Sequence, residues 1–222
     1  MSDIWSWKAF ISPIIISLKI TCLASIITFV IALIVGRWMS RSRFSLKVVL
    51  DTVLMLPLVL PPTVVGFILL YTFGMQGWIG KWLNRLFDFS LVFTWWGGVI
   101  AAVVVSFPLV YQTIKAGFDS VDGDLEEAAR SQGANEWQVL RYITLPLMSR
   151  LLVVAYVLGF ARALGEFGAT LMLAGNIPGR TQTVATAIYI AADSGRMLLA
   201  YSWVAVMILF SFMLMLLIRR RA

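Results

Sequence analysis

The chain is 222 residues long and 60% hydrophobic, with a mean hydropathy of +0.90 and a formal net charge of +7. Its apolar residues exceed the half usual in soluble domains and gather into bilayer-length blocks, which excludes an ordinary soluble protein. The lack of histidine excludes His-based catalysis and His metal sites, and the lone cysteine, Cys22, excludes an internal disulfide.

Residues 1–7 carry Asp3 and no basic residue, and the apolar run that follows is too long for a signal peptide. Five blocks then read as membrane spans, each near the ~20 residues a helix needs to cross. They cover about 14–35, 48–73, 95–114, 147–173 and 198–218. Lys19 falls in the first block and is expected to snorkel to the nearer surface. The apolar segment 184–192 is too short to cross and reads as a surface or re-entrant helix, with a short sixth span as the alternative. Trp78, Trp82, Trp95 and Trp96 flank blocks two and three as interfacial aromatics would.

The basic residues act as topology signals rather than as a nucleic-acid surface. One side collects Arg37, Arg41, Arg43, Lys47, Lys115, Arg130, Arg141, Arg150, Arg219, Arg220 and Arg221, eleven of the 18 in the chain. The positive-inside rule puts that side in the cytoplasm. The N-terminus is then expected outside and the C-terminus inside, which fits an odd number of spans.

The largest feature on that side is the loop at about 119–146. Asp124 is expected to cap a first short helix, with Glu126 and Glu127 in its positive first turn. Gly133 is expected to end it, since glycine accepts a left-handed backbone freely. Asn135 is expected to cap a second helix and Pro146 to stop it. The result would be a compact two-helix knob. A helix lying flat on the bilayer is the bland alternative.

The loop carries Glu127-Ala128-Ala129, three residues, Gly133, nine residues, Ile143, one residue, then Leu145-Pro146. This spacing resembles the EAA signature of bacterial ABC importer permeases at all seven defined positions. The resemblance implies that the first short helix enters a groove on a separate ATPase. Ala128 and Ala129 would allow close approach, Glu127 would offer a charged contact, and Gly133 would set the angle. The chain has no Gly-x-x-x-x-Gly-Lys-Ser/Thr phosphate loop of its own.

Two further stretches look like those of molybdate permeases, with sulfate, thiosulfate and tungstate permeases as close alternatives. One is Leu56-Pro57-Leu58-Val59-Leu60-Pro61-Pro62-Thr63-Val64-Val65-Gly66, and the other is Phe160-Ala161-Arg162-Ala163-Leu164-Gly165-Glu166-Phe167-Gly168-Ala169-Thr170. Asn176-Ile177-Pro178-Gly179 and Ser106-Phe107-Pro108-Leu109 add to the likeness. Pro57, Pro61 and Pro62 each remove a backbone donor, so block two cannot be one regular helix. They would line the translocation path or merely kink a packed helix. Arg162 and Glu166 lie one turn apart inside block four and can pair, either facing the path or bracing the bundle. Thr63, Ser106 and Thr170 are hydroxyl candidates for the path, and hydroxyls also pack quietly between helices.

The expected fold is an all-α integral membrane protein with five transmembrane helices, a single permease domain over 1–222 of the small molybdate/methionine type. No reactive constellation suggests an enzyme. The resemblance implies a homodimer in the bacterial inner membrane, surrounded by lipid, with two ATPase subunits and a periplasmic oxyanion-binding protein. ATP and Mg would bind the partner ATPase, and no cofactor or nucleic acid this chain.

Overall fold

The computed structural model describes residues 7–42 and 44–221, with side chains to 216. Asp3, used above against a signal peptide, and Arg43 and the side chains of Arg219, Arg220 and Arg221, used for topology, lie outside the described residues. Every regular element among the described residues is helical.

Among the described residues, three helices are long and apolar enough to cross a membrane unaided. They are α1 (Trp7–Arg41), α5 (Trp95–Asp119) and α12 (Met197–Arg221). α1 has 35 residues, about 52 Å at 1.5 Å each, so it overshoots a ~30 Å hydrocarbon core. Block one is therefore longer at both ends than hydropathy alone suggests. α5 is the mast of the bundle. α1 packs along it through small and polar residues, including Ala24, Ser25, Thr28 and Ala32, which let the two backbones approach closely. Lys19 reaches an aromatic at the start of α5, with its Nζ 3.6 Å over the Trp95 ring.

Block two divides into α2 (Lys47–Val59) and α3 (Pro62–Phe73), whose axes turn by 110°. This far exceeds a proline kink. Leu60 and Pro61 each precede a proline, and the ring that follows disfavours helical geometry at both. Leu60 accordingly sits at φ −68°, ψ 142°, and Pro61 at φ −53°, ψ 137°. Pro62 then restarts a helix, where its missing N–H costs nothing. Next comes α4 (Trp78–Phe87), amphipathic, with Trp78, Trp82, Leu86 and Phe87 exposed.

Block four is also broken, where one continuous helix was expected. α9 (Ser149–Leu164) stops at Gly165, and α10 (Gly168–Ala174) resumes three residues later. At 16 residues α9 is about 24 Å long, short of a ~30 Å hydrocarbon core by itself. Before α9 stand α6 (Gly123–Ser131), α7 (Glu136–Val139), a π-helical turn (Leu140–Thr144) and α8 (Leu145–Leu147). The last three form one rod, bent by 75° from α9. By length and composition the described residues offer three to five spans, the upper figure counting α2 with α3 and the rod with α9 as one bent span each.

The segment read as a surface or re-entrant helix is α11 (Val184–Asp193), with one face buried in the bundle and Tyr189 exposed on the other. Val184, Thr186, Ala187 and Ala191 are buried, and the helix packs on α12 and α1. The Val184 N–H donates to Ser17 Oγ at 2.8 Å. Ten residues are too few to cross, and polar backbone this short is tolerated where protein covers it.

Candidate functional site

Two places draw on the residues singled out above: the knob after α5 and the pair of helix breaks in the bundle.

The knob is built by its caps. Asp122, not Asp124, caps α6, with its Oδ1 accepting from the Asp124 N–H at 3.0 Å. Asp124 occupies the first turn instead, where a carboxylate still favours the helix dipole. At the other end Gly133 has φ +91°. Its N–H reaches the Arg130 carbonyl at 2.9 Å, and the Ala134 N–H reaches that of Ala129 at 3.1 Å. This pair of bonds is a Schellman stop, and glycine meets its left-handed requirement without strain. Asn135 caps the rod as expected, in a reciprocal capping box with Gln138 at 2.8 and 2.9 Å.

Pro146 does not stop the rod. It sits inside the last turn, and the chain breaks at Met148. The wider π-helical turn before it shifts bonding to i→i−5, with the Leu145 N–H on the Leu140 carbonyl. A ring without an N–H is accommodated next to such a turn.

The motif residues spread over one outer face of this knob. Glu127 and Ala128 are exposed, and Glu127 makes no ion pair among the described residues. Ala129, Gly133 and Ile143 line a cleft of about 380 Å³ between α6 and the rod, together with Tyr142 and Gln138. Leu145 instead turns inward against the core of Met39, Ile114 and Met148, and Pro146 is exposed.

A charge network that local sequence patterns do not reveal ties the knob to the end of α1. Arg41 bonds Glu126 at 2.5 Å and also Glu136, and Arg37 approaches Glu136 at 3.5 Å. Arg130 reaches Glu136 at 2.6 Å and Glu126 at 3.1 Å. Thr144 donates to Glu126 at 2.6 Å. Burial pushes the Glu126 carboxyl up, but hydrogen bonds from Thr144, Arg41 and Arg130 outweigh it and hold the group below its ordinary value. Hydrogen bonds from Arg130 and then Arg41 lower Glu136 to about 2. Exposed pairs contribute only ~0.2–1 kcal/mol each. The network therefore matters for where it holds the knob more than for stability. The links that reach α1 join opposite charges 85 to 99 residues apart in sequence.

In the bundle the two helix breaks meet. A Cβ on Gly168 would lie 3.0 Å from Pro62 Cβ, and one on Gly66 would lie 2.8 Å from Ala169 Cα. α3 and α10 thus touch along their length, and Val65, Leu69, Ala169 and Leu173 share one core with α5. Broken helices facing each other at membrane depth are a recurrent arrangement around transporter paths. Pro61, Pro62 and Thr63 are exposed beside this contact, and Pro57 is half-buried in α2.

Arg162 and Glu166 pair as expected, at 2.8 Å. Glu166 is 3% exposed, and its second oxygen accepts from the Ala169 N–H at 2.8 Å, so it also caps α10. With both oxygens engaged, Glu166 braces the break, and only Arg162 retains exposed surface. Ser106 and Thr170 are sealed inside the subunit, at 0% and 1% exposure, and do not face an open path. Ser106 bonds the Ala102 carbonyl at 2.6 Å and Thr28 of α1 at 3.2 Å. Three or more His, Cys, Asp or Glu side chains do not come together as a metal site among the described residues.

Residues 28–221 match the family described as binding-protein-dependent transport system inner membrane component. The chain is 47% identical over 216 residues to a putative molybdenum transport system permease of Bacillus subtilis, YvgM, covering 97% of this chain and 95% of that one. It is 44% identical over 183 residues to the molybdenum transport system permease ModB of Escherichia coli K12, covering 82% and 78%. It is 34% identical over 189 residues to the sulfate transport system permease CysT of the same strain, covering 83% and 68%. The fold is shared with an inward-facing MetNI methionine ABC transporter at TM-score 0.71 and 18% identity, each chain covered in full. It is also shared with a bacterial ABC transporter for alginate import at TM-score 0.76 and 16% identity, over 96% of this chain and 80% of that one.

Proposed function

The chain belongs to the family of binding-protein-dependent transport system inner membrane components, and from that premise we propose that it forms the path of an ATP-driven molybdate importer. Members of this family are multi-pass inner-membrane transport components rather than enzymes, and they work with an ATPase and a substrate-binding protein. Molybdate is favoured because the relatives named for molybdenum transport are 47% and 44% identical, against 34% for the sulfate permease.

The knob geometry carries the proposal. An exposed motif face, built on two capped helices, is joined by the Arg37–Arg41–Glu126–Glu136 network to a helix that runs the length of the bundle. In this reading the knob end is cytoplasmic, with the N-terminus outside and the C-terminus inside. Glu127, Ala128, Ala129, Gly133 and Ile143 meet the ATPase, while Leu145 and Pro146 set the rod against the core. Two copies of the single domain 1–222 face each other, each with one ATPase. ATP and Mg bind on that partner, and this chain holds no cofactor.

The mechanism follows from what is rigid and what is broken. ATP closes the two ATPases, and each knob moves with its ATPase. The rod and α1 pass that motion to the bundle, where the α2–α3 and α9–α10 breaks supply joints. Pro57, Pro61, Pro62 and Thr63 belong to the moving wall. A bare carboxylate there would repel an oxyanion, but Glu166 is buried and its charge is paired with that of Arg162.

Uptake by reconstituted vesicles containing the ATPase and binding protein tests the cargo. Labelled molybdate uptake is expected to resist a tenfold excess of sulfate. Equal competition by sulfate would transfer the proposal to a sulfate permease.

A further inference from the structure

A cleft of about 630 Å³ lies between the end of α1 and the rod, outside the motif face of the knob. Ile34, Arg37, Trp38 and Arg41 line it from α1, and Trp137 and Leu140 from the rod. Three features define what it would accept.

The first is charge. Among the described residues, Arg37, Arg41 and Arg130 pair with Glu126 and Glu136, three guanidiniums against two carboxylates. The surplus falls on Arg37. Its Nη1 is buried with no hydrogen-bond partner among the described residues, and its Nη2 contacts Glu136 at 3.5 Å. A buried unpartnered guanidinium nitrogen is rare and calls for an anion or water.

The second is a track leading to it. Ile26, Val30, Ile34 and Trp38 recur every fourth residue along α1 and are all exposed. That spacing makes one apolar stripe along the membrane-spanning part of the helix, ending at the cleft. The third is the aromatic rim. Trp38 and Trp137 are exposed beside the two arginines, the pairing found at headgroup depth.

We propose that this cleft binds one anionic phospholipid, its phosphate on Arg37 and its acyl chains along the Ile26–Val30–Ile34–Trp38 stripe. Basic pockets at the ends of membrane helices take acidic headgroups in this way. A lipid so placed sits against Glu136 and Trp137 and steadies the anchorage of the knob on α1.

Native mass spectrometry of the full chain, assembled with its ATPase and titrated with dioleoylphosphatidylglycerol, tests this. Wild type is expected to hold one such lipid per copy at least fivefold more tightly than dioleoylphosphatidylcholine. Arg37→Gln is expected to lose that preference, Arg37→Lys to keep much of it, and Arg150→Gln, an exposed basic residue outside the cleft, to keep all of it. If Arg37→Gln does not assemble, Trp38→Ala serves, with weaker binding expected. Unchanged preference in these cleft variants would overturn the proposal. So would equal displacement by inorganic phosphate, which would make this a free-anion site. Binding by the chain alone that vanished on adding the ATPase would likewise overturn it, assigning the cleft to the protein partner.

Discussion

Gly133→Val is expected to lower ATP-driven uptake about tenfold or more while leaving the permease folded in the membrane. Gly133 holds φ +91°, and a Cβ there would meet nothing within 4 Å. The cost is therefore backbone strain, about 1–2 kcal/mol for an ordinary residue and more for a β-branched one. The chain can relieve it only by giving up the bonds from Gly133 to Arg130 and from Ala134 to Ala129. Either response changes the angle between α6 and the rod and reshapes the Ala129–Gly133–Ile143 cleft. About 1.4 kcal/mol is a factor of ten in an equilibrium, so strain of this size is enough to undo docking. Gly123→Val is the control. Gly123 also has open space around it but lacks the left-handed backbone, and uptake should stay within about twofold of wild type. ATPase co-purification and molybdate uptake, measured side by side, check both variants. Full-rate uptake by Gly133→Val would remove the knob from the coupling mechanism.

Gly66→Leu is expected to damage the bundle itself. A Cβ at this position would stand 2.8 Å from Ala169 Cα, 2.9 Å from Met172 Cβ and 3.0 Å from Met172 Cγ. The first of these is backbone and cannot swing aside, so α3 and α10 must separate. Overpacking of this kind costs about 1–3 kcal/mol, and a separated pair also opens the Val65–Leu69–Ala169–Leu173 core. A fall of roughly 5 °C in the melting temperature of detergent-purified protein is expected, with reduced yield. Gly165→Ala should be tolerated, because its Cβ would lie 3.7 Å from the Ala161 carbonyl, an ordinary contact. Equal stability of Gly66→Leu and wild type would show that α3 and α10 do not pack as described.

The knob was the most legible part of the chain because its signals are local. Gly133 and Asn135 act over three to five residues, and both behave as their chemistry predicts. The first cap was placed two residues late because Asp122 and Asp124 flank Gly123 and either can cap on local grounds. Pro146 was read as a stop because its missing N–H is visible in sequence, whereas the π-helical turn that accommodates it is not.

The bundle was legible in outline only. Hydropathy finds apolar length, but it is blind to breaks that keep the composition apolar. Pro61-Pro62 announced one break and concealed its size, and Gly165 announced the other too weakly to be read. Which hydroxyls face inward is decided by helix partners. Ser106 looked like a path residue until its neighbour proved to be Thr28 of α1, 78 residues away. Glu166 likewise became a brace once both its oxygens had partners. Arg37 and Arg41 served as topology markers in sequence, and only the fold gives them Glu126 and Glu136 as partners.

The central claim is that this chain moves molybdate only when an ATPase drives it through the knob. Molybdate accumulation against its gradient in sealed vesicles tests this most directly, with the binding protein present and the ATPase supplied or withheld. Accumulation is expected only with both ATPase and ATP, and Gly133→Val should lower it about tenfold or more. Full-rate molybdate movement through the chain without the ATPase would contradict the claim and make the protein a channel.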